Sequence, residues 1–425
     1  MNNIKKNVIW NTLGLTLNSF NSLFFLVIVN RVNGVEMAGV FSFAFSIACL
    51  LYIIGIYAGR TFQVSDAKQE LSDKEYLMHK YITCAVMLAF GIVFVILQKY
   101  SQQKNTVIIL LCIYKCLEAF DDTLYGYLQK NEQLHIVGKS LFFKSIVGIV
   151  VFWGIDLISR NLIIACCALI INSLCFVIFY DIKKSIIYMK TTTVSLKCVL
   201  KLFKIGFPVF AFSFLSVYIV NIPKYVMDIF LEDSFQTVFG IIVMPGTVMS
   251  LCGQYITAPL LNNFVNCFNS NQYEKLKRMS NKIIIILLAI GLLVEVIAAF
   301  LGIPILSFVY SLDLKLYNRD LLFIIGGAML YAIGGIYSTI LITMRKNKMQ
   351  LAIYVIDAIV GMTVCYLMIP IWKVHGATIG YVATMIVHVV LYKVYFKIVY
   401  RQWKLSVSEK IICNEKKKGE AYKAI

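Results

Sequence analysis

Twelve apolar stretches divide this 425-residue chain, near residues 8–30, 37–59, 78–98, 107–128, 140–158, 161–181, 203–223, 238–261, 282–309, 319–344, 351–371 and 376–400. A helix needs about 20 apolar residues to cross the hydrocarbon layer of a bilayer, and most of the stretches reach that length. The gaps between them carry basic residues unequally. With the N-terminus in the cytoplasm, the cytoplasmic segments hold 31 of the 40 Lys and Arg residues, the opposite segments hold 8, and Lys115 lies inside a stretch. The positive-inside rule therefore predicts an all-α integral membrane protein with twelve spans and both termini cytoplasmic.

Composition agrees. With 60% hydrophobic residues and a mean hydropathy of +0.79, a soluble globule would expose a large apolar surface. The net charge of +18 would suggest nucleic acid if it formed one patch or arm. Here the cations sit in short loops beside helix ends, which excludes a nucleic-acid partner and points to orientation and to membrane lipid headgroups. The 12 Cys residues lie mostly inside the spans. With no C-x-x-C pair and no zinc-like spacing against His, they read as packing residues, and neither a metal nor a cofactor is expected. Residues Met1 to Lys6 look like a basic signal-peptide start, but the apolar run that follows is too long and lacks a small-residue cleavage site. It reads as an uncleaved first helix.

The longest gaps, such as Thr61–Leu77, Lys183–Leu202 and Asn262–Asn281, are about 20 residues and fall on the cytoplasmic side, leaving no room for a soluble domain. The basic linker Asp181–Lys204 suggests two six-helix lobes, residues 1–190 and 191–405, followed by a basic cytoplasmic tail, 406–425. The halves echo one another: Gly39-Val40-Phe41-Ser42 opens the second span and Thr237-Val238-Phe239-Gly240 opens the eighth, 198 residues later. Parallel internal repeats are a common transporter plan, with the substrate site between them.

Three places carry a family resemblance. Phe25–Phe45, FLVIVNRVNGVEMAGVFSFAF, resembles the opening of the polysaccharide biosynthesis (Wzx-type) exporters, where the first helix ends in a polar turn and a G-x-[FY]-[SG] entry begins the second. Asn221–Met249, NIPKYVMDIFLEDSFQTVFGIIVMPGTVM, resembles their seventh and eighth helices, and Gly376-Ala377-Thr378-Ile379-Gly380 their last-helix opening. The resemblance implies a V-shaped bundle of two lobes around a central cavity, of the multidrug/oligosaccharidyl-lipid/polysaccharide exporter type. It also implies the task of flipping an undecaprenyl-diphosphate-linked oligosaccharide, an O-antigen-like repeat unit, across the bacterial inner membrane, next to the polymerase machinery that consumes it.

A diphosphate-linked sugar needs a polar, cationic path, so charges inside spans are the candidate site residues; each costs on the order of 3 kcal/mol at a helix centre. The fourth span holds Lys115, Glu118, Asp121 and Asp122. At ~100° per residue, Lys115, Glu118 and Asp122 share one face. They either line the cavity or form a self-neutralising pair with two carboxylates near the interface. Lys224 and Asp228, four residues apart, read either as a local salt bridge or, by the resemblance, as substrate contacts. Arg31 runs against the positive-inside rule and is a candidate diphosphate contact, whereas Arg60 reads as a cytoplasmic anchor. Glu295, Asp357 and Glu118 are the candidate carboxylates for coupling to a proton or sodium gradient, with Glu295 foremost because it is nearest a helix centre. His388 reads as a packed histidine.

Gly138-Lys139-Ser140 mimics the end of a phosphate-binding loop, but Gln133 stands where that loop needs Gly. ATP hydrolysis is not expected. Gly326, Gly327, Gly334 and Gly335 read as a helix-packing or bending site. Pro208, Pro223, Pro245, Pro259 and Pro304 suggest that helices of the second half bend. The expected activity is transport without covalent catalysis. Two rivals are a multidrug or cation antiporter of the same plan, with one or two carboxylates in a compact cavity, and a membrane-embedded polysaccharide polymerase, which should carry a large outer loop with Arg or His.

Overall fold

The computed structural model describes residues 3–66, 71–189, 194–257, 260–344, 346 and 348–423, and these contain helices and turns but no strand. In chain order the helices are α1 (Asn3–Asn33), α2 (Val35–Ile56), the short α3 (Gly59–Ser65), α4 (Asp73–Gln98), α5 (Gln102–Lys130), α6 (Leu134–Ser159) and α7 (Leu162–Phe176). They continue with α8 (Leu196–Phe230), α9 (Asp233–Thr257), α10 (Leu261–Asn269), α11 (Tyr273–Ile297), α12 (Ile303–Tyr310), α13 (Asn318–Thr343) and α14 (Lys348–Lys423). A π-helical turn over Val177–Ile182 extends α7, and another over Ala298–Gly302 joins α11 to α12.

Among the described residues, ten helical runs are long and apolar enough to cross a membrane. The difference from twelve has two local causes. Helix α5 spans 29 residues, enough to cross a bilayer, but charges in its middle lower its hydropathy. Helix α14 is two spans in one run, because Lys373 leaves the helical backbone (φ 50°, ψ −123°) three residues after Pro370. The all-helical, polytopic reading of the sequence holds. Large apolar side chains such as Phe300 (77% exposed), Phe308 (79%) and Ile158 (85%) point outward, an arrangement that water penalises and lipid does not.

Helix ends follow local chemistry. Ser72 and Glu75 close a capping box on α4, and the Ser101 hydroxyl accepts the Lys104 amide at the start of α5. Gly34, at φ 89°, turns the chain from α1 into α2 through a region open mainly to glycine. Pro208, Pro223 and Pro245 lie inside α8 and α9, and Pro304 is the second residue of α12, just after the π-turn; Pro259 lies outside the described residues.

Two compact units emerge, residues 1–241 with 308–312, and residues 242–307 with 313–425. The expected division at 190/191 concerns a sequence repeat, which compactness does not address. In the first unit α1 crosses α6 at paired glycines: a side chain on Gly14 would enter the Gly138 backbone, and one on Gly138 would enter Trp10. The glycine of the Gly138-Lys139-Ser140 triplet thus serves helix packing. The two echoing segments meet there as well. Ser42 and Gly240 occupy the same place in the echo, and a Cβ on Gly240 would lie 2.6 Å from Ser42 Oγ. Contacts between equivalent residues are what two-fold-related copies make at their axis. In the second unit Gly334 makes room for the His388 ring and Gly327 for Tyr381, while Gly335 has nothing within 4 Å. Two of the four glycines of that helix are therefore packing sites.

Two lysines counted as loop charges in the topology argument prove to be helical and buried. Lys80 sits two turns into α4 at 0% exposure, donating to the carbonyls of Gly55 (3.0 Å) and Ile56 (3.3 Å). Lys144 lies in α6 and holds two carboxylates, Asp121 and, at 3.1 Å, Asp181. Asp121 and Asp181 are 1% and 0% exposed. Removing one partner of a buried pair leaves an uncompensated charge, at a cost of about 3–5 kcal/mol. Lys144→Met should therefore lower thermal stability in detergent markedly, and adding Asp121→Asn and Asp181→Asn should recover most of it. An unchanged melting temperature in Lys144→Met would show that the network is not structural.

Candidate functional site

Helix α5 distributes its four interior charges to different partners. Lys115 Nζ lies 2.6 Å from Glu118 Oε2, one turn on, with side chains 13% and 14% exposed. Its ammonium also lies over the rings of Phe45 (4.8 Å), Tyr52 (5.7 Å) and Tyr114 (5.4 Å), a favourable desolvated setting for a cation. Asp122, a further turn along, faces Arg60 Nη1 at 3.6 Å and Lys80 Nζ at 3.9 Å. Asp121 points about 100° away and belongs to the Lys144 network. The face shared by Lys115, Glu118 and Asp122 thus exists, but Asp122 is served by α3 and α4 rather than by Lys115. Arg60, read as an anchor, is held by Gln129 Oε1 at 2.9 Å. With Asp122 and Gln129 it lines a cavity of about 410 Å³, beside Tyr57 and Ala58, whose φ angles of 38° and 55° mark a strained turn between α2 and α3.

Lys224 does not pair with Asp228, and the local salt bridge read from their spacing is corrected. Asp228 accepts from Tyr100 and, at 2.6 Å, from Lys104, whose Nζ also lies 2.6 Å from Asp233. A cation that satisfies two carboxylates from 124 and 129 residues away outcompetes a neighbour on the same helix, and spacing cannot reveal it. Lys224 donates instead to Ser42 Oγ at 3.0 Å. No carboxylate among the described residues is within ion-pair distance of it. Cys49 of α2 is within Coulombic reach of Lys115, Glu118 and Lys224 alike. Helices α2, α5 and α8 therefore assemble two lysines and one glutamate among aromatic rings.

Arg31 lies elsewhere in its bonding. Its Nε donates to the Val309 carbonyl and its Nη2 to the Phe308 carbonyl, both at 2.6 Å, while Asn30 donates to the Tyr310 carbonyl. These are the open carbonyls at the C-terminus of α12, where a cation is favoured.

In the second unit Glu295 is half-buried on α11, with Oε1 3.7 Å from the Cβ position of Gly326. Asp357 is fully buried, and its Oδ2 lies 2.7 Å from Nδ1 of the equally buried His388. Rings of Tyr331, Tyr354 and Tyr392 surround the imidazole at 5.1, 5.3 and 4.8 Å. Asp357 Oδ1 and His388 Nε2 have no hydrogen-bond partner among the described residues. His388 is packed, as its sequence reading expects, and is also the hydrogen-bond partner of Asp357. Lys80, Lys104, Lys144 and Asp181 are among the other buried charges that sequence reasoning passed over. Lys80 and Lys104 lie within the first two turns of α4 and α5, which Ser72 and Ser101 cap upstream of the apolar run, whereas Lys144 lies in the interior of α6 and Asp181 in the π-helical turn that follows α7.

No family model matches the chain. Its sequence is 23% identical over 386 residues to the capsular polysaccharide biosynthesis protein CapF of Staphylococcus aureus, covering 88% of this chain and 94% of that protein. Its structure is similar to an inward-facing multidrug resistance MATE family transporter of the MOP superfamily, at a TM-score of 0.73 and 12% identity, covering 93% of this chain and 99% of the other. It is similar to the lipid II flippase MurJ in an inward closed conformation, also at 0.73, with 16% identity and coverage of 92% and 87%. The fold is thus the one seen in these two solved structures. In sequence the chain has a relative from polysaccharide biosynthesis, and the resemblance read from its three segments holds.

Proposed function

We propose that this chain is an inner-membrane flippase, with both termini cytoplasmic, that moves a polyprenyl-diphosphate-linked oligosaccharide from the cytoplasmic to the outer leaflet by alternating access. The observation that carries this reading is the Lys115, Glu118 and Lys224 cluster framed by Phe45, Tyr52 and Tyr114. Two cations suit a diphosphate, aromatic faces suit sugar rings, and the polyprenyl tail needs only lipid. The named roles of CapF and MurJ support it. Asp122, with Arg60 at the 410 Å³ cavity and Lys80 buried behind it, is the second polar station on the path. If Arg31 receives the diphosphate at the outer end, phosphate oxygens replace the α12 carbonyls. The two halves, residues 1–190 and 191–405, move against one another, and a polymerase on the outer side consumes the product.

One observation favours the rival antiporter: Asp357 with His388 is the compact carboxylate site such a protein would use. Reconstituted vesicles separate the two. A fluorescent lipid-linked oligosaccharide should cross in a protein-dependent manner, while an organic cation such as ethidium should not be expelled by a pH or sodium gradient. Ethidium efflux without movement of the lipid-linked sugar would overturn the flippase reading.

A further inference from the structure

The second compact unit carries a concentration of charge that the transport path does not use. On α14, Lys393, Lys397, Arg401 and Lys404 follow at intervals of four, four and three residues, which at ~100° per residue keeps them within about 80° of one another. All four are exposed, along a line of about 16 Å. Beside them, Val394, Ile398 and Leu405 form an apolar line that is 52%, 50% and 55% exposed. The opposite side of the same helix, Tyr392, Phe396, Val399 and Trp403, is buried.

Helix α11 adds a second set. Lys275, Lys277, Arg278 and Lys282 are exposed at its start. The two helices are fastened together: Tyr273 meets Trp403 at 6.1 Å and Tyr400 at 6.3 Å, Lys277 lies over the Tyr400 ring at 5.5 Å, and Lys404 reaches Glu274 at 3.5 Å. Glu274 is one carboxylate among these eight cations.

Orientation by the positive-inside rule requires only an excess of cations near helix ends. It does not require them in helical register beside a lipid-facing apolar line. That register has a physical use, because Lys and Arg stems lie along acyl chains while their charges stand at the phosphate level. A ligand that fits must bring negative charge and acyl chains together. We propose that the α11 and α14 surface binds the headgroups of anionic phospholipids in the cytoplasmic leaflet. Each cation near such a surface adds to the attraction for anionic lipid, and salt screens it. The leaflet assignment rests on the orientation proposed above; lipid binding itself is read without transport.

The test uses the full-length protein in nanodiscs of zwitterionic lipid containing a trace of fluorescent phosphatidylglycerol. Native protein should retain the labelled lipid in preference to labelled phosphatidylcholine, less so at high salt. The variant Lys393→Gln/Lys397→Gln/Arg401→Gln should lose retention about tenfold or more. The variant Lys183→Gln/Lys184→Gln/Lys197→Gln, with the same loss of charge elsewhere, should keep it, and Lys393→Arg/Lys397→Arg should retain binding if the Gln variant fails to elute as a single species. Equal loss in both Gln variants, or no preference for the anionic lipid, would overturn the site. Stronger displacement of the label by a lipid-linked diphosphate than by unlabelled phosphatidylglycerol would instead assign the surface to the transport substrate and overturn the proposed occupant.

Discussion

Lys115→Ala is expected to cut transport of a lipid-linked oligosaccharide at least about tenfold, equivalent to about 1.4 kcal/mol of barrier, with Lys115→Arg retaining part of the rate. The single substitution also leaves Glu118 largely buried without its partner at 2.6 Å, so some destabilisation accompanies it. The double variant Lys115→Ala/Glu118→Ala separates the two effects, because it removes both charges at once. Thermal stability should fall in the single variant and return in the double. Transport should remain low in both, since the cation proposed to meet the diphosphate is absent from each. Normal transport by the double variant would show that the pair serves assembly and that the cavity lies elsewhere.

Asp357→Asn is expected to abolish stimulation of transport by a pH or sodium gradient while slow exchange between leaflets continues. A coupling carboxylate must alternate between a charged and a neutral state, and Asn preserves shape without titrating. By sequence Glu295 is foremost. The structure favours Asp357 for a physical reason: it is fully buried beside an imidazole that can share or accept the proton, whereas Glu295 is half-buried. His388→Gln should reproduce the loss. Measured in vesicles with an imposed gradient, stimulation that survives Asn at 357 and Gln at both 118 and 295 would remove carboxylate coupling and leave flipping driven by consumption of the product. Loss in Glu295→Gln alone would return the role to Glu295.

How far the site was legible depended on whether partners were close in sequence. Lys115 and Glu118 are three residues apart on one helix, and their pairing follows from helical geometry alone. Lys224 and Asp228 satisfy the same rule, yet the pair does not form. A helix offers every such neighbour a possible contact, and a better-placed ammonium from another helix takes the carboxylate. Asp357 and His388, 31 residues apart, stand on two spans whose relative rotation no local pattern specifies. Lys80 and Lys144 were misread for a different reason. Each lies near the cytoplasmic end of an apolar stretch, where the positive-inside count assigns a cation to the loop, whereas the fold buries it at 0% and 6% exposure beside partners on other helices.

The sequence by itself determined the class of fold. Apolar stretches of membrane-spanning length, short loops and an uneven division of Lys and Arg leave a polytopic helical bundle as the solution, because the bilayer demands satisfied backbone bonds and tolerates charge poorly. What the tertiary structure alone decided is which buried polar and charged groups pair with one another. Lys104 chose Asp228 and Asp233, Lys144 chose Asp121 and Asp181, and His388 chose Asp357. In a low-dielectric interior a buried charge is stable only beside its partner, and that partner is set by how distant helices rotate and cross, a packing property that no stretch of sequence contains locally.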